Sequence, residues 1–357
     1  MFSGSPTTRT ATDCRGRGHH QVVGGVVVCN GCQGLSVRFR HMTTVSTLDR
    51  PASAAEVKAA LYDPVLAMLA HATPHGRMYS RTVGGAPVVP SITNILAVED
   101  SGDVLRNWYG KQAVIEAWDH PRVSDAVGGN QRARWAIEKV VKDAGARRAE
   151  EAAERGSRVH FYAEEKARHQ LGEATTDDVR AAYDTLAAHG ETAWAVSLDE
   201  WWTAWQVTPI FPEATLWNEV DGYAGTTDLY CSINGVVALI DYKNKIHDPN
   251  GRFGPPTPKP QVEQQLHAAA FATERHVESE HRWVPVSLRP HLLIAAMVTD
   301  NGVFPYTVAG INDPRPFMKF QTLRQLWQDR YDEVMSGEPK FRPLVPPPSV
   351  RGVLGGR

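Results

Sequence analysis

The triplet Asp241-Tyr242-Lys243 carries a carboxylate and an ammonium at positions i and i+2. On a strand these side chains project from one face while Tyr242 takes the other. The five residues before it, 236–240, are apolar without alternation, which reads as a strand buried on both faces and ending in charge. Asp228 lies in the preceding β-rich run, 226–233, and Asn234-Gly235 between the two runs is a two-residue hairpin signal. Pairing across that turn brings Asp228 and Asp241 toward the same end of the hairpin. Two adjacent carboxylates repel, and a divalent cation resolves the repulsion; oxygen ligands suit Mg²⁺ or Mn²⁺. A lysine beside such a site can orient water or neutralise charge on phosphate oxygens, so the chemistry that fits is hydrolysis of a phosphodiester.

The elements around this hairpin must hold it in place. Residues 207–211 and 214–217 read as short strands, 246–260 as an exposed loop, 261–273 as a helix and 288–298 as a further strand. Upstream, 77–90 reads as a hairpin around Gly84-Gly85, and Ser91 opens a helix. The stretch from Val104 to about His169 is mainly helical, as are 176–189 and 198–206. Helices first, then a hairpin, a helix and a strand, imply an α/β fold with a helical N-terminal portion (91–206) and a catalytic core (207–300).

The chain balances 38 Lys and Arg against 40 Asp and Glu, a formal charge of −2, which argues against a passive nucleic-acid coat and leaves room for a local DNA groove. No secretory leader or membrane-length apolar run is apparent, and four cysteines make no disulfide framework, so the expectation is a cytoplasmic protein with no membrane association. Residues 1–42 differ in composition and read as an extension; Asp49 or Ser53 could cap a helix after it. Cys29-x-x-Cys32, with Cys14 and His19, could form a small structural zinc site, the alternative being incidental thiols. Residues 343–357 read as a Pro/Gly-rich tail.

Four segments occur in a telling order: Gly156-x-x-x-His160, Gly225-x-x-Asp228, Ile240-Asp241-Tyr242-Lys243 and Gln264-Gln265-Leu266. Together they resemble the signature of RecB-like nucleases of the PD-(D/E)XK superfamily, especially phage-encoded exonucleases related to CRISPR-associated RecB-like enzymes. The likeness spans roughly 77–300, and the opening at Ser91 with Trp108 shares it. It implies a restriction-endonuclease-like core within a nuclease domain at 43–342. It implies His160, Asp228 and Asp241 as metal ligands, Lys243 as the catalytic lysine, and Gln265 as a further catalytic residue, for which Gln264 could substitute. Glu213 stands where related enzymes often carry a glutamate, and could orient a metal or the scaffold. The glutamine motif departs from the family in having Ala269 where tyrosine is common. Lacking a cysteine cluster after the core, the chain is expected to hold no iron–sulfur cluster.

The expected activity is a metal-dependent DNA nuclease, exonucleolytic in mode, acting in phage DNA recombination or processing within the bacterial host cytoplasm. A recombination or single-strand annealing protein is a possible partner, and oligomeric state is left open. The rival reading is a non-catalytic DNA-end-binding or recombination-partner protein that keeps the fold. Glu164, one helical turn beyond His160, could hold the imidazole or a water, or be a solvated carboxylate. Trp194, Trp201, Trp202, Trp205 and Trp217 fit core packing better than base stacking, and Cys231 fits a buried strand. Arg252 and Lys259 could touch DNA phosphates, surface charge being the simpler reading.

Overall fold

A computed structural model describes residues 69–99, 102–247, 249–250 and 254–337, and the backbone of 20–23 and 26–29. The chain divides into two compact units, Met1–Asp49 and Arg50–Arg357. In the first, β1 (His20–Val23) and β2 (Val26–Cys29) form an antiparallel hairpin. The proposed zinc ligands Cys14, His19 and Cys32, the side chain of Cys29, the helix expected after Asp49 or Ser53, Arg252 and the 343–357 tail lie outside the described residues.

The described part of the second unit begins with a small sheet, β3 (Ala70–Thr73), β4 (Gly76–Tyr79) and β5 (Val89–Pro90), in that order. The β4–β5 pairing encloses the expected turn, where Gly84 takes φ +70°. Helix α1 (Ile92–Leu96) follows, capped by Ser91, whose hydroxyl accepts from Asn94 N. The helical stretch is broken into α2 (Gly102–Asp119), α3 (Val123–Val127), α4 (Gln131–Val141) and α5 (Ala144–Gln170), then α6 (Thr176–Ala188) and α7 (Thr192–Trp205). Thr175 and Asp178 form a reciprocal cap at the start of α6.

The core sheet is built from β6 (Val207–Asn218), β7 (Tyr223–Ile233), β8 (Val236–Asn244), β9 (Glu274–Val277), β10 (Arg282–Pro285), β11 (Leu292–Thr299) and β12 (Gly302–Thr307). Its seven strands run in the order β10-β9-β6-β7-β8-β11-β12, with the β8–β11 pair parallel and the others antiparallel. Helix α8 (Pro260–Ala270) makes the crossover from β8 toward β11, and α9 (Arg315–Ser336) closes the described chain.

The pleat of β8, apolar on both faces, divides the core between two helical layers. Ala238, Ile240 and Tyr242 pack with α5, α6 and α7, including Phe161, Leu198 and Trp202. Leu239 faces α1, α8 and α9, beside Ile95, Leu266 and Phe320. Four of the five tryptophans expected in the core (Trp194, Trp201, Trp202 and Trp217) are buried, as is Cys231; Trp205 is half-exposed, its ring 5.9 Å from that of Trp201. Among the described residues no helix is long and apolar enough to cross a membrane.

Several boundaries differ from the expected ones for identifiable reasons. The two strands expected at 207–211 and 214–217 are one, β6, bent by a register shift between Pro209 and Phe211. The strand expected from 288 begins at Leu292, after Arg289-Pro290, where proline supplies no ladder donor. The helix expected to reach 273 ends at Ala270, and Thr273 N instead donates to Trp217 O.

Candidate active site

The β7–β8 ladder runs from Ile233↔Val236 to Leu229↔Ile240, so the next register position sets Asp228 against Asp241. On the other side of β7, the pairs Pro212↔Leu229 and Ala214↔Thr227 set Glu213 against Asp228. Glu213, Asp228 and Asp241 therefore form a row across three adjacent strands. Glu213 adopts φ +43°, a left-handed conformation that costs a side-chain-bearing residue of order 1–3 kcal/mol and here sits in the middle of a strand.

Helices from both layers reach this row. From α5, His160 Nδ1 lies 3.4 Å from Asp228 Oδ1. Its ring stands edge-on to Tyr242, with centroids 6.0 Å apart, and the Tyr242 hydroxyl accepts from Trp202 Nε1. The helix itself is fixed by a buried bidentate pair in which Arg158 donates to Glu191 at 2.6 and 2.7 Å. From α8, Gln265 Nε2 donates to Asp241 Oδ1 at 2.6 Å. Asp228 Oδ2 accepts the Tyr242 backbone N–H at 2.6 Å, the place a ladder carbonyl would otherwise take.

Among the described residues, His160, Glu213 and Asp228 offer a set of ligand atoms all within 4.8 Å of one another. Asp241 is not in that set. Its carboxylate is paired with the Lys243 ammonium, Nζ to Oδ2 at 2.6 Å. Asp241 Oδ2 is buried, with the Lys243 ammonium as its close partner. Gln264 is buried and does not take the place of Gln265. Glu164 is buried rather than solvated, and is not one of the close ligand set.

The electrostatics follow from this crowding. Burial pushes the His160 pKa down, but Asp228, helped by Glu213, outweighs it and lifts the imidazole to about 9. Burial would raise Asp228; His160, Lys243 and the Tyr242 N–H instead hold it below the usual carboxylate range. For Asp241, burial prevails, and with the facing Asp228 carboxylate it lifts the group to about 6 against the pull of Lys243. Burial opposes the charge on Lys243, yet Asp241 and Asp228 raise its pKa. Two neighbouring carboxylates driven in opposite directions mark a site short of positive charge.

A basic rim adjoins it. Lys245 is pushed down by burial and by Lys259, Lys243 and Arg155. Lys243, Lys259 and Gln265 share one pocket, placing Lys259 beside the site rather than on a remote loop.

The glycines of the two Gly-bearing segments are not equivalent. A Cβ on Gly225 would lie 2.7 Å from Ile92 Cδ1, so its small size lets α1 press against β7. At Gly156 an added Cβ would meet only Asn244 Cβ, at 4.0 Å.

No family model matches the chain, and no curated protein matches it. Among solved structures it is similar to "Crystal structure of SSO0001", at 12% identity with a TM-score of 0.23, over 49% of this chain and 73% of that one. A likeness at that level carries no argument.

Proposed function

We propose that this protein is a divalent-metal-dependent DNA nuclease of the RecB-like PD-(D/E)XK type, exonucleolytic in mode. The observation that carries the reading is the row Glu213–Asp228–Asp241, flanked by His160 on one side of the sheet and by Lys243 and Gln265 on the other. One imidazole and a row of carboxylates suit Mn²⁺ or Mg²⁺, and the ligand atoms of His160, Glu213 and Asp228 all lie within 4.8 Å of one another.

His160, Asp228 and Asp241 would hold the ion, with Glu213 as an additional ligand that the strand bend supplies. The ion would contribute polarisation of the phosphate and acidification of water. Lys243, held by Asp241, is placed to offset charge building on the phosphate oxygens. Gln265 keeps the Asp241 carboxylate from rotating, and the Tyr242 N–H does the same for Asp228. The basic rim of Lys245 and Lys259 gives the DNA backbone a place to lie.

Incubation of labelled linear and circular DNA with Mg²⁺, Mn²⁺ or EDTA tests the proposal. The expected result is cation-dependent degradation of linear DNA, abolished by EDTA, with circular DNA resistant. Binding to DNA ends with no cleavage under any cation would replace the nuclease with the non-catalytic end-binding protein.

A further inference from the structure

The helical portion carries a second feature that the hydrolytic site does not use. His120, Arg122, Arg132, Trp135, Lys139 and Arg147 line one pocket formed by α4, the start of α5 and the α2–α3 turn, and no carboxylate lines it. In a chain of net charge −2, this is a marked local excess of cations. Arg147 is engaged by Glu116 at 3.1 Å and Arg122 loosely by Asp125 at 3.8 Å. Arg132 and Lys139 have no acidic partner among the described residues.

Helix α4 explains how the pocket arises. It packs inward through Ala133, which is fully buried, and turns Arg132, Trp135 and Lys139, spaced i, i+3 and i+7, along one outer face. The Trp135 side of that face is open to solvent: Trp135 is 69% exposed. An exposed indole between cations offers a flat apolar face flanked by positive charge, which an unpaired base and its phosphates complement.

We infer that this pocket binds single-stranded nucleic acid, with Arg132 and Lys139 on phosphates and a base stacked on Trp135. The chemistry selects among polyanions. A duplex hides its base faces, and an acidic peptide would engage the cations but not the ring; an unpaired strand uses both. Arg147 and His160 lie on the same helix, α5, 160 − 147 = 13 residues apart. That separation is about 20 Å at 1.5 Å per residue, a distance a short unpaired strand can span. As a track for the strand that enters or leaves the hydrolytic centre, the pocket rests on the nuclease reading; as a binding site it does not.

The test is anisotropy of a 5′-labelled 20-nucleotide oligo-dT and of a blunt duplex with the full-length protein in EDTA, across a salt series. The proteins compared are wild type, the double variant R132E/K139E, Trp135→Ala and Trp135→Phe, each checked by circular dichroism. R132E/K139E should weaken oligo-dT binding at least about 10-fold and flatten its salt dependence by about 1.4 in slope, the value for two lost phosphate contacts on a single strand. Trp135→Ala should weaken oligo-dT about 5- to 100-fold and the duplex far less, with Trp135→Phe restoring most of the loss.

Folded variants with wild-type affinity for oligo-dT, or a wild type that does not bind it, would overturn the pocket. Equal losses on oligo-dT and duplex for Trp135→Ala would overturn base stacking and with it the single-strand assignment. A wild type that cleaves no DNA with Mg²⁺ or Mn²⁺, while its variants lose oligo-dT binding as expected, removes the nuclease reading and leaves the pocket standing.

Discussion

The two halves of the candidate site share a row of carboxylates but differ in what neutralises it. On the α5 side, His160, Glu213 and Asp228 gather with an imidazole as their nearest cation, and that imidazole is charged only because the carboxylates hold its proton. On the α8 side, Asp241 already has an ammonium at 2.6 Å and an amide donor at 2.6 Å. The difference teaches a division of labour. Under the proposed function, the α5 half would exchange a proton for the metal ion, and the α8 half would present Asp241 to that ion in a fixed orientation with one permanent positive charge near the substrate.

The largest effect that tests this division is the loss of the ligand common to the whole row. Asp228→Ala should abolish Mn²⁺ binding in calorimetry and lower cleavage by at least ~10³-fold. Retained Mn²⁺ affinity in that variant would dissolve the distinction between the halves. Glu213→Gln comes next: a supporting ligand should cost ~10–100-fold in Mn²⁺ affinity, with cleavage recovering at high Mn²⁺. Unchanged affinity would reduce Glu213 to a structural bend in β6.

The pH dependence sharpens the same contrast. Metal binding at the α5 half must displace the His160 proton, so Mn²⁺ affinity should climb with pH until about 9 and level off, and His160→Gln should flatten the climb. The sign for stability is opposite. In metal-free protein a raised histidine pKa adds stability that is complete below about 6.5 and is lost as pH rises through about 9, readable in melting curves taken in EDTA. The smallest effect belongs to Gln265→Ala, which removes an orienting donor and should slow cleavage about 10-fold with Mn²⁺ affinity little changed. A loss as large as that of Asp228→Ala would make Gln265 more than an orienting group.

Much of the α8 half and the hairpin could be read from residue order. The apolar run 236–240, the Asn234-Gly235 turn (φ +50° and +82°) and the i, i+2 placement of Asp241 and Lys243 are local signals, and local signals survive into β7 and β8. The α5 half was less legible. Glu213 joins through a one-residue register shift and a left-handed backbone angle, neither of which periodicity reveals; its traces in the sequence were the break between two expected strands at Pro212-Glu213 and its place in the family resemblance. Strands β9, β10 and β12 and helix α9 were not foreseen. The first two are four residues each, and β12 contains Pro305, which is tolerated because β12 is the sheet's edge.

The glycines show where a motif letter has a physical cause. Gly225→Ala would push a methyl into buried Ile92 and should destabilise by about 1–3 kcal/mol in denaturant melts, as overpacking does. Gly156→Ala, in mid-helix with room for a methyl, should be neutral or stabilising by up to about 1 kcal/mol. Equal costs at the two positions would mean that backbone freedom rather than helix–strand contact set both.

The most direct measurement is the rate of linear-DNA cleavage by Lys243→Ala at saturating Mn²⁺, with Mn²⁺ affinity taken on the same preparation. The account predicts a rate ~10²–10³-fold below wild type with Mn²⁺ affinity nearly unchanged, as for removal of one electrostatic stabiliser. A wild-type rate in Lys243→Ala, or no cation-dependent cleavage in either protein, would contradict it.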